Sequence, residues 1–153
     1  MIRVVFVGKA KEDWIKEALE EYSKRLQRFT NFEMVEVKDE RILGKEAEKI
    51  IAAEGERILG LVKDEDFLIA LDVEGKELGS EQFAEQLSKA VIDNKRITFV
   101  VGGALGLDRR VVDKARIKLS MSRMTLTNQM IRVMLVEQIY RAFTIMKGID
   151  YHK

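Results

Sequence analysis

The apolar positions of the chain fall into alternating short runs and helical stripes. Ile2–Val7 is a β-rich apolar run closed by Gly8, the pattern of a buried strand. Asp13 then stands where a helix cap is expected, ahead of Trp14, Ile15, Ala18, Leu19, Tyr22 and Leu26 at helical spacing. Phe32–Val37 alternates: Phe32, Met34 and Val37 are apolar, and Glu33 and Glu36 are polar. A charged loop over 38–44 follows. From Lys45 to about Val62 the stripe Ala47, Ile50, Ile51, Ile58 and Leu61 predicts a second helix. Gly55 interrupts it at a cost of about 1 kcal/mol relative to Ala, which marks a place for a break.

The second half repeats the alternation. Phe67–Leu71 is a continuous apolar run suited to a central parallel strand, and Asp72–Glu77 is expected to turn after it. Ser80 is placed to cap a helix carrying Phe83, Leu87, Ala90 and Val91. Ile97–Val101 is another buried strand, met at once by Gly102-Gly103-Ala104-Leu105-Gly106. Asp108 opens a short helix, Ile117–Leu119 is a short strand, and residues 120–127 form a polar loop containing methionines. The last helix runs from about Asn128 to Met146. Strands alternating with helices throughout predict a three-layer α/β fold with a mostly parallel sheet. There is no repeat or linker, so residues 1–153 form a single domain.

Composition narrows the chemistry. The chain has no cysteine, no proline and one histidine, His152. Disulfides, thiolate nucleophiles, zinc ribbons and His-rich metal sites are therefore excluded, and no metal is expected. No apolar run approaches the ~20 residues that span a bilayer. The start of the chain lacks the segments of a signal peptide, so no membrane partner and a cytoplasmic location are expected. Charge is uneven. Residues 102–153 hold 10 Lys/Arg against 4 Asp/Glu, a net of +6, whereas residues 1–101 hold 17 against 22, a net of −5. That split points to a polyanionic partner for the C-terminal part, or equally to a solvated basic face.

Two loops follow buried strands at their C-terminal ends, where open α/β sheets bind ligands: 71–75 and 102–106. The glycine loop matches neither the dinucleotide fingerprint nor a P-loop. Its glycines would let backbone approach a flat ligand such as a nucleoside closely, but a Gly-Gly-x-x-Gly stretch also serves simply as a tight turn. The third candidate is the loop 119–127, with Thr127 or Asn128 as cap of the last helix. That helix is apolar on nearly all sides, which predicts burial on two fronts and a homodimer. The tail Tyr151-His152-Lys153 offers an aromatic for stacking and donors for phosphate.

Four segments taken together resemble one family: Phe99-Val100-Val101-Gly102-Gly103-Ala104-x-Gly106, Leu119-Ser120-Met121-Ser122-x-Met124-Thr125, Arg132-Val133-x-Leu135-x-Glu137-Gln138-x-Tyr140-Arg141-Ala142, and Tyr151-His152-Lys153. The combination, over the whole chain, is similar to the ribosomal RNA large subunit methyltransferase H family of the SPOUT superfamily. The resemblance implies a C-terminal part threaded into a deep trefoil knot, S-adenosylmethionine as methyl donor, and a homodimer with the cofactor near its interface. It implies methylation of N3 of a pseudouridine in 23S rRNA of the assembled ribosome. Carried over, it assigns Leu71, Gly102, Gly103, Met121, Ser122, Arg123, Met124, Thr125 and Leu126 to the cofactor, and Arg132, Tyr151, His152 and Lys153 to the substrate. Where relatives usually read Met-Thr-x-Pro-His-Gln, this chain has Met124-Thr125-Leu126-Thr127-Asn128-Gln129. Thr127 and Asn128 are good caps, so the helix start survives while any chemical role of the family's histidine is lost.

A uracil N3–H must lose its proton to be methylated, so a base helps. His152 is the only side chain whose ordinary pKa lies near neutrality, and it is the expected catalytic group. Asp72 and Glu74 are expected to orient groups. The competing expectations are a non-catalytic RNA- or ribosome-binding module, which need not bind the cofactor, and a generic nucleotide-binding α/β protein.

Overall fold

A computed structural model describes residues 1–42, 44 and 46–153. Five strands and five helices alternate: β1 (Ile2–Val7), α1 (Asp13–Leu26), β2 (Phe32–Val37), α2 (Ala47–Leu59), β3 (Phe67–Glu77), α3 (Ser80–Asp93), β4 (Ile97–Val101), α4 (Arg109–Lys114), β5 (Ile117–Ser120) and α5 (Asn128–Met146). The strands form one sheet in the order β2-β1-β4-β3-β5, with every pairing parallel. Fold class is as expected, α/β in three layers.

Period-two alternation decides the layers. Ile2, Val4 and Phe6 of β1 and Ile97, Phe99 and Val101 of β4 face a core shared with α1, α3 and α5. Val5, Val7 and Val100 point the other way, onto Ile58 of α2 and Val111 of α4. Strands covered on both sides must read as continuous apolar runs, as these do. Leu135, Val136, Ile139, Ala142 and Phe143 of α5 enter the first core between α1 and α3. Ile131, Val133, Tyr140, Ile145 and Met146 are only partly buried against it.

Five local expectations are corrected. Asp13 is the first helical residue rather than the cap, and it pairs with Lys16 at 3.1 Å. Trp14 lies outside the buried stripe, at 53% exposure. Ser80 likewise lies inside its helix and donates to Gln138 Oε1 of α5 at 2.8 Å, while Gln82 Oε1 accepts the Gly79 N–H at 3.1 Å. The second helix is continuous through Gly55, where a Cβ would stand 2.5 Å from Cβ of Asp108, so close packing and not a break accounts for the glycine. The expected start of that helix at Lys45 lies outside the described residues. Finally, β3 does not end at Leu71. Leu71 and Lys76 both stand opposite Leu119, so 72–75 bulge out between two paired stretches. Gly75 permits this, since a Cβ there would be 2.7 Å from the Lys118 carbonyl carbon.

Candidate functional site

Parallel strands carry all their C-terminal ends to one side of the sheet. There the bulge after Leu71, the glycine turn after β4, the loop after β5 and the first turn of α5 enclose a cleft of about 350 Å³. Its size suits a small-molecule site. Leu71, Gly102, Gly103, Met121, Ser122, Met124, Thr125 and Leu126 all line it, from three separate loops. Arg123 does not. Its side chain is 87% exposed and pairs with Glu77 at 3.2 Å in a neighbouring groove. Its pairing with Glu77 turns it away from the cleft that its neighbours on both sides line.

The walls of the cleft that lie outside the three candidate loops are Val101, Leu107, Asn128 and Ile131. Asp72 also lines it and caps its own bulge, its Oδ1 accepting the Glu74 N–H at 3.0 Å. The loop after β5 is braced internally. Ser120 Oγ donates to the Ser122 carbonyl at 3.2 Å, and Ser122 Oγ accepts the Met124 N–H at 2.9 Å. Thr127 caps α5 by accepting the Met130 N–H at 3.3 Å.

The glycine turn is built on close approach. A Cβ on Gly102 would stand 2.7 Å from the Gly106 carbonyl carbon, and Gly106 itself has φ +90°. A Cβ on Gly103 would meet the buried Glu54 carboxyl, 2.7 Å from Oε2, so its missing side chain makes room for Glu54 and not for a ligand.

Asn128, which stands where the resembled family has histidine, ties the turn to the core. Its Nδ2 donates to the Gly102 carbonyl, and its Oδ1 accepts from Arg132 Nε at 2.8 Å. Arg132 is the correction of most consequence. It is fully buried, donates from Nη2 to Val7 O at 2.7 Å and Gly8 O at 2.9 Å, and reaches Glu36 from Nη1 at 3.2 Å. Its guanidinium also lies over the Phe6 ring, 4.8 Å from the centroid. Every face of it is occupied, so it holds β1 and α5 together behind the cleft instead of meeting a substrate.

Tyr151 and His152 pack back onto α1 and α5, and none of the three tail residues lines this chain's own cleft. The Tyr151 ring packs edge-on against Tyr140 at 4.9 Å, with the Arg141 guanidinium 4.7 Å over its face. Its hydroxyl donates to Glu137 at 3.0 Å and lies 3.3 Å from that of Tyr22. Burial, with these bonds, pushes the phenol pKa well above its ordinary value. Arg141, itself paired with Glu137, donates to His152 Nδ1 at 3.3 Å. A guanidinium only donates, so Nδ1 accepts and the neutral ring carries its proton on Nε2, 3.9 Å from Glu81. In this arrangement the lone pair that a general base needs is engaged.

Folding pairs four of the ten cations of residues 102–153 with acids of residues 1–101. Lys114 pairs with Asp64 at 2.8 Å, Arg110 with Asp108 at 2.8 Å and with Glu56, Arg123 with Glu77, and Arg132 with Glu36. Apart from Asp108, these acids come from residues 1–101 and meet cations of the last third. Among the described residues no acidic or histidine cluster could hold a metal ion, and no helix is long and apolar enough to cross a membrane.

A parallel sheet with a glycine-turn cleft at its C-terminal end, closed by the start of the last helix, defines a class. The family described as "Predicted SPOUT methyltransferase" matches residues 1–152. The chain belongs to the ribosomal RNA large subunit methyltransferase H family of SPOUT methyltransferases. It is 48% identical over 157 residues to proteins named ribosomal RNA large subunit methyltransferase H from Streptococcus pneumoniae strains CGSP14, 70585 and JJA, covering 99% of this chain and of each relative.

Proposed function

We propose that the chain uses S-adenosylmethionine to methylate N3 of a pseudouridine in 23S rRNA of the assembled ribosome, working as a homodimer with a knotted C-terminal part. The observation that carries this reading is the cleft itself. Eight of the nine residues that the family resemblance assigns to the cofactor line one cavity, although they come from three loops far apart in sequence. The cavity suits that cofactor chemically. Leu71, Met121, Leu126 and Ile131 offer apolar walls for a flat base and a thioether-like chain, and the Gly102–Gly106 turn offers bare backbone. When bound, the cofactor supplies an electrophilic methyl group on a sulfonium.

The residues of this chain would then do the rest. The braced loop 120–126 and the Asn128–Gly102 tie hold the cleft walls fixed, so that in-line approach of a ring nitrogen is set by position. Tyr151, His152 and Lys153 are offered to the substrate from a rigid mount on α5. Because the tail stands outside its own cleft, a second copy seated along the half-buried face of α5 would bring one subunit's tail toward the other's cleft. His152 would act as a base only after Arg141 releases Nδ1, or after the ring changes tautomer; otherwise it donates from Nε2.

The tests are direct. Titration calorimetry should show S-adenosylmethionine binding, whereas a pure RNA-binding module would show none. Light scattering should give about twice the 17.6 kDa chain mass. Mass spectrometry of rRNA nucleosides from a strain lacking the gene should show loss of one methylated pseudouridine, restored on complementation; an unchanged nucleoside profile refutes the substrate. Deletion of residues 151–153 should leave cofactor binding intact and abolish labelled-methyl transfer to ribosomes.

A further inference from the structure

Glu54 of α2 is 4% exposed, and its Oε2 is the one buried side-chain oxygen or nitrogen without a hydrogen-bond partner among the described residues. Its Oε1 accepts the Glu40 N–H at 3.0 Å. The carboxyl lies against the back of the glycine turn, filling the space a Gly103 side chain would need: a Cβ there would be 2.7 Å from Oε2 and 3.2 Å from Cδ. Native structures rarely leave such an oxygen orphaned, and each case calls for a reason.

We infer that Glu54 is a positioning residue of the cleft: wedged behind Gly103, its carboxyl holds the Gly102–Gly106 turn in the shape that a bound cofactor needs. The inference rests on the cofactor reading above and adds a residue that does not touch the cleft.

The surroundings say in which form the wedge works. Asp39 and Glu40 face it from the segment after β2, Arg57 faces it from its own helix, and Asp108 with Arg110 stand beyond Gly55 on α4. The turn itself carries no titratable group. Burial, opposed by the Glu40 N–H, raises the Glu54 pKa, with Asp39 adding to the rise. The direction of that shift favours the uncharged carboxyl over the carboxylate, relative to a solvated glutamate. On ionisation, Oε2 must find a donor, and either a turn N–H or an entering water then shifts the turn. The acid form favours binding, so affinity should be full below the raised pKa and fall as pH rises through it.

The experiment combines Glu54→Gln, Glu54→Ala, Gly103→Ala and the Glu54→Ala/Gly103→Ala pair, all in the full chain. Kd for S-adenosylhomocysteine is measured from about pH 5 to about pH 9, with melting temperature alongside. Wild-type Kd should climb with pH, by at most about tenfold per pH unit for one linked proton, and Glu54→Gln should flatten that climb. Gly103→Ala should weaken binding by about tenfold or more and lower the melting temperature. Both losses should largely vanish once Glu54 is also Ala. If Gly103→Ala costs the same with and without Glu54, the wedge is refuted, whether or not the cofactor binds. If the coupling appears in melting temperature while Glu54→Ala and Glu54→Gln leave Kd and its pH profile unchanged, Glu54 is structural only and the positioning role is refuted. If the melting coupling holds but no variant, nor the wild type, binds the cofactor, the cofactor reading fails and with it the positioning role, leaving a wedge without that ligand.

Discussion

Replacing Arg132 by Met separates a buried strut from a substrate contact. Met keeps most of the aliphatic stem, so the cavity left is small, but the donors go. Val7 O and Gly8 O, which accept from Nη2 at 2.7 and 2.9 Å, lose that partner in a site with no solvent access. An orphaned buried acceptor costs about 1–3 kcal/mol. Asn128 Oδ1 and Glu36 lose their partner as well, though the half-exposed Glu36 can turn to water. A total of roughly 3–5 kcal/mol follows, a large share of the 5–15 kcal/mol that holds a typical domain. For a chain of this size about 2–4 °C of melting temperature is lost per kcal/mol, so a drop on the order of 10 °C is expected by calorimetry. Arg132→Lys should recover only part of it, because one ammonium cannot reach Val7 O, Gly8 O and Asn128 in the planes a guanidinium does. Cofactor affinity should weaken several-fold through the freed Asn128–Gly102 tie. If Arg132→Met melts within about 2 °C of the wild type and binds cofactor normally yet cannot methylate ribosomes, the strut reasoning is wrong and Arg132 touches the substrate.

Two further outcomes are expected. Gly55→Ala should destabilise in urea although helix propensity alone would favour it by about 1 kcal/mol, because its Cβ would sit 2.5 Å from Asp108 Cβ; a gain in stability would mean that α4 shifts freely. Asp108, at the start of α4, has its carboxyl held below its ordinary pKa of 3.8 by the hydrogen bond from Arg110, against burial. A depressed folded-state pKa stabilises fully above the unfolded value and loses that effect as pH falls below it. The stability gap between wild type and Asp108→Asn should therefore be constant at neutral pH and close below about pH 4; a gap independent of acid would sink the assignment.

The local grammar of the chain was readable without a structure. β1, β4 and α5 stand where their periodicity put them, because a strand covered on both faces must be apolar and a helix buried between two others must be apolar nearly all round, and β2, at the sheet edge, stands where its alternation put it. The place of the cleft was readable for the same reason: once the strands are parallel, the loops after Leu71, Val101 and Ser120 must share one end. Contacts between distant segments were not. Nothing in the neighbours of Arg132 says that carbonyls of residues 7 and 8 will enclose it, and its position in a motif made it look like a contact for substrate. Gly103 reads as room for a ligand until Glu54, 49 positions earlier (103 − 54), is found in that room. The basic last third reads as uniformly unpaired, yet four of its ten cations meet Asp64, Glu56, Glu77 and Glu36 from the earlier part of the chain. Strand order, buried partners and cancelled charge are set by packing across the sheet, between segments whose separation in sequence carries no record of their separation in space.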